Sequence, residues 1–272
     1  MVELARIEAR LESVGQLGEL VGALRTIAAS RMREGQEALD GTRAFCTTVQ
    51  QAVASIDHGC DRPPPEETGK QVLLVITSEN GFVGGFNTRI MDHVQDHRRA
   101  EEMLFLVGRR GQILAEERDM TVDIAMPMTS RTNGVTQLSR QIAAKLVGVT
   151  RAAIVFALHQ KSGTFKVAHR QVLPLAPVSG SHIGAQRPLH HLPAAELLAQ
   201  LASEVLFAEI AQALMQCIIS ENSARLMTMD AASRNIDERL EKLRRQERMA
   251  RQEQTTADML DVIVGSEAVN CG

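Results

Sequence analysis

Gly81-Phe82-Val83-Gly84-Gly85 follows the apolar run Val72-Leu73-Leu74-Val75-Ile76 and precedes a stretch of helical character. A strand, a glycine-rich turn and a helix in that order can cradle a phosphate, because the free amides of a helix N-terminus attract anions. The spacing here is neither G-x-G-x-x-G nor G-x-x-x-x-G-K-[ST], and no lysine follows to reach a phosphate. It suits a structural turn that brings helix and sheet close together. His93 and His97 stand at the i, i+4 spacing of a metal pair, flanked by Asp92 and Asp96. No H-E-x-x-H is formed, and solvated helix faces carry such histidines more often than metal sites do. His190-His191, with His182, lies in loop-like sequence without a third ligand of recognisable spacing. There is no G-x-S-x-G elbow, and none of Cys46, Cys60, Cys217 and Cys271 has the helical or basic context of a nucleophile. The acidic residues fall on predicted solvent faces of helices. The sequence therefore nominates no catalytic residue, no metal ligand and no cofactor.

The elements that would position these groups alternate. Strands are predicted at 71–77, 103–107, 122–126, 152–158 and 164–175, the last two joined through Lys161-Ser162-Gly163. Helices are predicted up to about Arg99, over 109–118 and over 135–149. Alternation with short connections means a Rossmann-like α/β layer with a mainly parallel sheet, over residues 70–190.

Both ends of the chain read differently. Leu4, Ile7, Leu11, Val14, Val21, Ala28 and Met32 recur at heptad-like steps, with Leu17 and Leu24 beside the seam, and helical character runs to about Ile56. The run Gly59-Cys60-Asp61-Arg62-Pro63-Pro64-Pro65 breaks it. At the other end, Ile218, Leu226, Met229, Ile236, Leu240, Leu243, Ala250, Ala257, Leu260 and Val264 form a second stripe among dense charges. A helix reaching back to Pro193 would be roughly 110 Å long, too long to bury its stripe against a small domain. It needs a partner helix. Residues 1–58 and 193–272 are thus expected to pair as an antiparallel coiled coil carrying the α/β domain as an insert. Gly15, Gly18 and Gly22, each costing about 1 kcal/mol in a helix, leave open the alternative that the first helix breaks and folds back into a bundle.

Composition narrows the function classes. Thirty basic and 33 acidic residues give a net charge of −3, with no bias toward nucleic acid or anionic lipid. Seven Phe with no Tyr or Trp provide few stacking platforms for single-stranded nucleic acid. No apolar run is read as long enough to span a bilayer, so any membrane association is expected to be peripheral. Scattered cysteines without C-x-x-C spacing fit a reducing cytoplasm.

Four segments carry a family resemblance. Leu24-Arg25-Thr26-Ile27-Ala28-Ala29-Ser30-Arg31-Met32-Arg33 resembles the A-M-x-M-V-A-A-S-K-M-R segment of the γ subunit of F-type ATP synthases. The run from Ile76 to Asn87 is similar to that family's I-T-S-D-R-G-L-C-G-G-L-N. The run from Ser220 to Asn235 is similar to its S-E-x-x-A-R-M-x-A-M-x-x-A-T-x-N, and Ala250-Arg251-Gln252 through Ala268 resembles its C-terminal signature. The resemblance implies a central-stalk rotor, without an active site of its own. Its implied partners are the α and β subunits of the catalytic head, the ε subunit and the ring of c subunits, at the cytoplasmic face of the inner membrane. Position by position, Arg225, Arg251 and Gln252 match β-subunit contacts. Thr256 and Asp258 fall on polar and acidic positions of the same helix, and Arg25 and Arg31 on the N-terminal segment packing against it. Their implied roles are bearing and coupling.

The departures are substantial. Residues 13–24 lose most of the family's polar and basic groups and gain glycines, and Gln246-Glu247-Arg248-Met249 replaces a segment that usually carries tyrosine. Such divergence fits a second, atypical ATPase set; neither the ion moved nor the direction of working is written in this chain. The rival reading is a stand-alone nucleotide-binding α/β protein with helical dimerisation arms, using the Gly81–Gly85 turn. The two readings separate by titrating the purified chain with ATP or ADP: a rotor subunit shows no saturable binding, whereas the rival requires it.

Overall fold

The computed structural model describes residues 2–56, 69–160, 163–174 and 191–270. The breaker at 59–65, the turn residues Lys161 and Ser162, and His182 and His190 lie outside the described residues. In chain order the elements are α1 (Val2–Ile56), β1 (Gln71–Ile76), α2 (Phe86–His97), β2 (Glu102–Val107), α3 (Arg109–Glu117), β3 (Ile124–Met126), α4 (Val135–Lys145), β4 (Arg151–His159), β5 (Phe165–Leu173) and α5 (Ala194–Asn270). They form two units, one of Ala28–Leu226 and one of Met1–Ile27 with Met227–Gly272.

The larger unit is built on a five-stranded sheet of order β3-β2-β1-β4-β5. The first four strands are parallel, and β5 turns back antiparallel on β4. The central strand explains its own sequence. With β2 and β4 on either side and both faces covered, Leu73, Leu74, Val75 and Ile76 are fully buried, which is why the strand is an unbroken apolar run rather than an alternating one. Phe86, Ile90 and Met91 of α2, Leu138 and Ile142 of α4, and Ile210, Leu214 and Ile218 of α5 join the same core. Just past β1, the Thr77 hydroxyl donates to Val107 O at 2.9 Å. There Gly108 has φ +109°, and a Cβ on it would lie 2.5 Å from the Thr77 carbonyl oxygen, so only glycine fits this crossing.

Two predicted elements are shorter than their sequence patterns. The third strand keeps only Ile124–Met126, paired to β2 alone at the sheet edge. The fourth helix ends at Lys145, as the chain turns toward Gly148, whose φ is +77°.

Within this unit α1 and α5 run antiparallel. Phe45 meets Phe207 edge-on at 6.2 Å, Gln50 donates to Glu209 at 2.8 Å, and Gly35 lies against Ile219. Glu209 interrupts an otherwise apolar stretch of α5 and is matched there, since Arg170 of β5 reaches it at 2.7 Å. That stretch corrects the expectation that no run is long enough to span a bilayer. By length and composition α5 contains one, of mean hydropathy 1.4, but 67% of the window is buried inside the protein. It is a core helix by its packing.

In the smaller unit the same two helices pair antiparallel: Arg25 meets Asp230 at 2.6 Å and Arg251 reaches Glu8 at 3.4 Å. Neither helix breaks, so the bundle alternative fails. Burial along α1 follows 4, 7, 11, 14, 18 and 21. Gly18 is therefore a seam position that a search for apolar side chains passes over; a Cβ there would sit 3.3 Å from Ile236 Cγ2. Leu17 is displaced to the surface, 53% exposed. On α5 the half-buried positions 247, 250 and 254 continue the seam. Leu260, expected in the stripe, is 56% exposed, because Arg251 is already level with Glu8 and α1 has almost ended.

The glycines give a discriminating prediction. Gly15 and Gly22 have open space where a Cβ would go, whereas one on Gly35 would meet Ile219 Cγ1 at 2.7 Å in the core. Gly15→Ala and Gly22→Ala should each stabilise by about 0.5–1 kcal/mol. Gly35→Ala should destabilise by about 1–3 kcal/mol despite its better helix propensity. Urea unfolding midpoints of the three variants check this.

Candidate functional site

The strand order reverses between β1 and β4, the place where open α/β sheets bind ligands beyond the carboxyl ends of their strands. Here α5 crosses that place. The Cys217 thiol lies 3.6 Å from Ile76 O, the Ser220 hydroxyl donates to Ala157 O at 3.1 Å, and Gln216 Oε1 accepts from His159 N at 3.3 Å. The helix itself thus covers the strand ends at the reversal, beside the Gly81–Gly85 turn that the rival reading uses.

The turn after β1 is held from three directions. Ser78 N donates to Asn87 Oδ1 at 2.9 Å, and Asn87 Nδ2 returns a bond to Ser78 Oγ at 2.8 Å. Glu79 Oε2 accepts from Met128 N at 2.8 Å and Arg109 N at 3.2 Å. From α5, the Arg225 guanidinium donates to Gly81 O through both Nε and Nη2, at 3.3 and 3.2 Å. The result is a turn with Phe82 at φ +61° and its ring 69% exposed. A non-glycine residue in that region is unusual and needs surroundings that enforce it. The two resembling motifs, some 140 residues apart, therefore meet at one junction.

Behind the turn lies a buried ion pair. Arg225 Nη2 and Glu221 Oε1 are 2.6 Å apart, with side chains 8% and 4% exposed. Arg225 Nη1 donates to Asn222 Oδ1 at 3.2 Å. Burial pushes the Glu221 carboxyl above the ordinary carboxylate range, and the nearby Arg225 charge only partly restores it. Glu221 and Asn222 stand inside a resembling motif, but the resemblance assigns them no role. Polar residues one helical turn apart within an apolar helix were the available signal.

Cys46 and Cys217, the cysteines among the described residues, are buried and inert. Burial and the Glu209 charge raise Cys46 to about 11, and burial raises Cys217 further; an activated thiol needs the opposite shift. The His93 and His97 rings stack at 4.0 Å with planes 19° apart, and His169 of β5 meets His93 edge-on at 5.7 Å. The stacked pair presents ring faces to each other rather than converging nitrogens. Among the described residues no group of three or more His, Cys, Asp or Glu is placed to hold a metal ion.

The other sequence-nominated residues lie apart from this junction. Arg25 is exposed and paired with Asp230, and Arg31 is half-buried on the side of Glu221. Arg251 is exposed and reaches Glu247 at 2.9 Å. Gln252, Thr256 and Asp258 are exposed on α5, with the Thr256 hydroxyl donating to Gln252 O at 2.9 Å. Arg225, matched by the resemblance to a β-subunit contact, is 7% exposed, with its donors on Gly81, Asn222 and Glu221.

Known proteins similar to this chain share its length and its fold. The family model described as ATP synthase matches residues 3–269. The ATP synthase gamma chain of Geotalea daltonii is 24% identical over 285 residues, covering 99% of both chains. That of Sinorhizobium medicae is 27% identical over 292 residues, covering 99% of this chain and all of the relative. Among solved structures, a chain of the Euglena gracilis mitochondrial ATP synthase (OSCP/F1/c-ring, rotational state 3) superposes with a TM-score of 0.73. It is 16% identical, covering 99% of this chain and 95% of that one.

The histidine cluster generates a pH prediction. Burial, then the charges of His97 and His169, hold His93 below its ordinary range, against an opposing effect of Asp96. The unfolded chain therefore binds more protons on acidification, so this contribution is present above pH ~6.5 and lost as pH falls through the folded value. The urea midpoint should drop between about pH 7.5 and about pH 5.5, and His93→Asn should reduce the drop.

Proposed function

The chain belongs to the ATP synthase gamma family, and on that premise we propose that it is the central-stalk rotor of an F-type ATP synthase or ATPase. The observation that carries the reading is the architecture: two terminal helices paired antiparallel, with a five-stranded α/β domain inserted between them. In this reading residues 1–58 and 193–272 are the shaft and 70–190 the foot. The α and β subunits surround the helix pair, while the foot meets the ε subunit and the c-ring at the cytoplasmic face of the inner membrane. ATP is made or hydrolysed in the head; this chain is non-catalytic and transmits rotation.

The surface of α5 supports this division. Met249, Met259, Leu260, Val262 and Ile263 are each more than half exposed, an apolar surface suited to a surrounding sleeve. Few of the rotor's contacts should be deep traps, since a rotor must leave every angular position. Arg25, Arg31, Arg251, Gln252, Thr256 and Asp258 are assigned bearing and coupling contacts, while Arg225 acts from within by holding the Asn80–Phe82 turn.

The nucleotide-binding rival is disfavoured by α5 lying across the ends of β1 and β4. Co-expression with the α and β subunits encoded beside it tests the reading. An α₃β₃γ assembly whose ATPase activity requires this chain is the expected result; failure to assemble with them, with saturable nucleotide binding by the chain alone, overturns it.

A further inference from the structure

Residues 216–225 of α5 carry their polar side chains in two adjacent stripes. Gln216, Ser220 and Ser223, at i, i+4 and i+7, form one stripe. Gln216 and Ser220 meet the end of β4, through His159 N and Ala157 O, and the Ser223 hydroxyl donates to Gly163 O at 2.5 Å. Cys217, Glu221 and Arg225, at i, i+4 and i+8, form the second. It faces the end of β1, through Ile76 O and the carbonyls of Asn80 and Gly81. Burial of Ile210, Leu214 and Ile218 holds the helix against the sheet. Although the hydrophobic effect is itself non-directional, their interdigitated packing already resists turning; the polar contacts add an angular constraint of their own. Hydrogen bonds are directional and weaken steeply with angle. Anchors on two stripes, fixed to the ends of two different strands, oppose rotation of the helix in either sense.

We propose that this segment is a torsional joint that makes α5 and the α/β domain turn as one body, with Arg225 as its positioning residue. The inference rests on the rotor reading. Arg225 is suited to the role because its planar fork places Nε and Nη2 on the Gly81 carbonyl while Nη1 stays on Asn222 Oδ1 and the Glu221 carboxylate also holds Nη2. A lysine keeps the charge but has no fork. Glu221 sets the fork's orientation and compensates its charge in the interior. Ser220 and Ser223 supply the opposing grip.

The test uses the α₃β₃γ complex with a bead on Val147→Cys, which is 82% exposed in the α/β domain, after Cys60 and Cys271 are replaced by serine. The angular spread of the bead during a catalytic pause reports torsional stiffness between head and foot. Arg225→Lys should widen the variance about two-fold or more, and Ser220→Ala with Ser223→Ala should do the same through the opposite stripe. Variants that assemble and turn with the unaltered complex's spread overturn the joint, even if their thermal midpoint falls, since Arg225 would then be an ordinary core residue. If Arg225→Lys does not fold, the serine pair decides. A complex that never assembles or turns before these changes overturns the rotor reading itself, a separable outcome.

Discussion

Two opposite charges buried side by side constrain this structure more than any single apolar contact. Removing an ion from water costs several kcal/mol, and Arg225 and Glu221 recover it only by their 2.6 Å contact and the surrounding acceptors of Asn222, Asn80 and Gly81. Neither charge can be accommodated alone. The pair therefore requires the turn after β1 to present its carbonyls to α5, which in turn requires α5 to lie across the sheet ends. A well-packed apolar pair would have been at least as stable. What the ionic arrangement adds is a unique geometry.

The same arrangement bears on chemistry. Open α/β sheets offer a ligand crevice where strand order reverses, and β1 and β4 create that reversal here. Filling it with a helix converts a potential binding site into a mechanical one. The glycine-rich turn keeps its tight conformation, with Gly84 at φ +55° and Phe82 at φ +61°, but its carbonyls serve the protein's own arginine.

The helix pair follows a different rule. Its seam contains Val14, Gly18, Val21, Ile236 and Leu243, small or aliphatic, with flanking ion pairs that are half exposed and so contribute little to stability. Gly18 lets Ile236 approach, and helix is maintained through Gly15, Gly18 and Gly22 because tertiary pairing outweighs about 1 kcal/mol of propensity at each. Where α1 runs out, α5 stays helical, and Met259, Leu260 and Val262 are there more than half exposed.

The sequence alone determined the antiparallel terminal helices, the inserted mainly parallel sheet and its element order, since hydrophobic period reports local structure and which face is buried. It also determined, through its motifs, the family. Only the tertiary structure decided that Gly18 rather than Leu17 occupies the seam, that Leu260 faces outward, and that Arg225 points inward to Glu221 and Gly81. These depend on where one helix ends beside another and on contacts 144 residues apart, and no local periodicity carries that information. The unexpectedly apolar stretch of α5 makes the same point. Composition cannot distinguish a helix buried in lipid from one buried in protein; the sheet packed against it does.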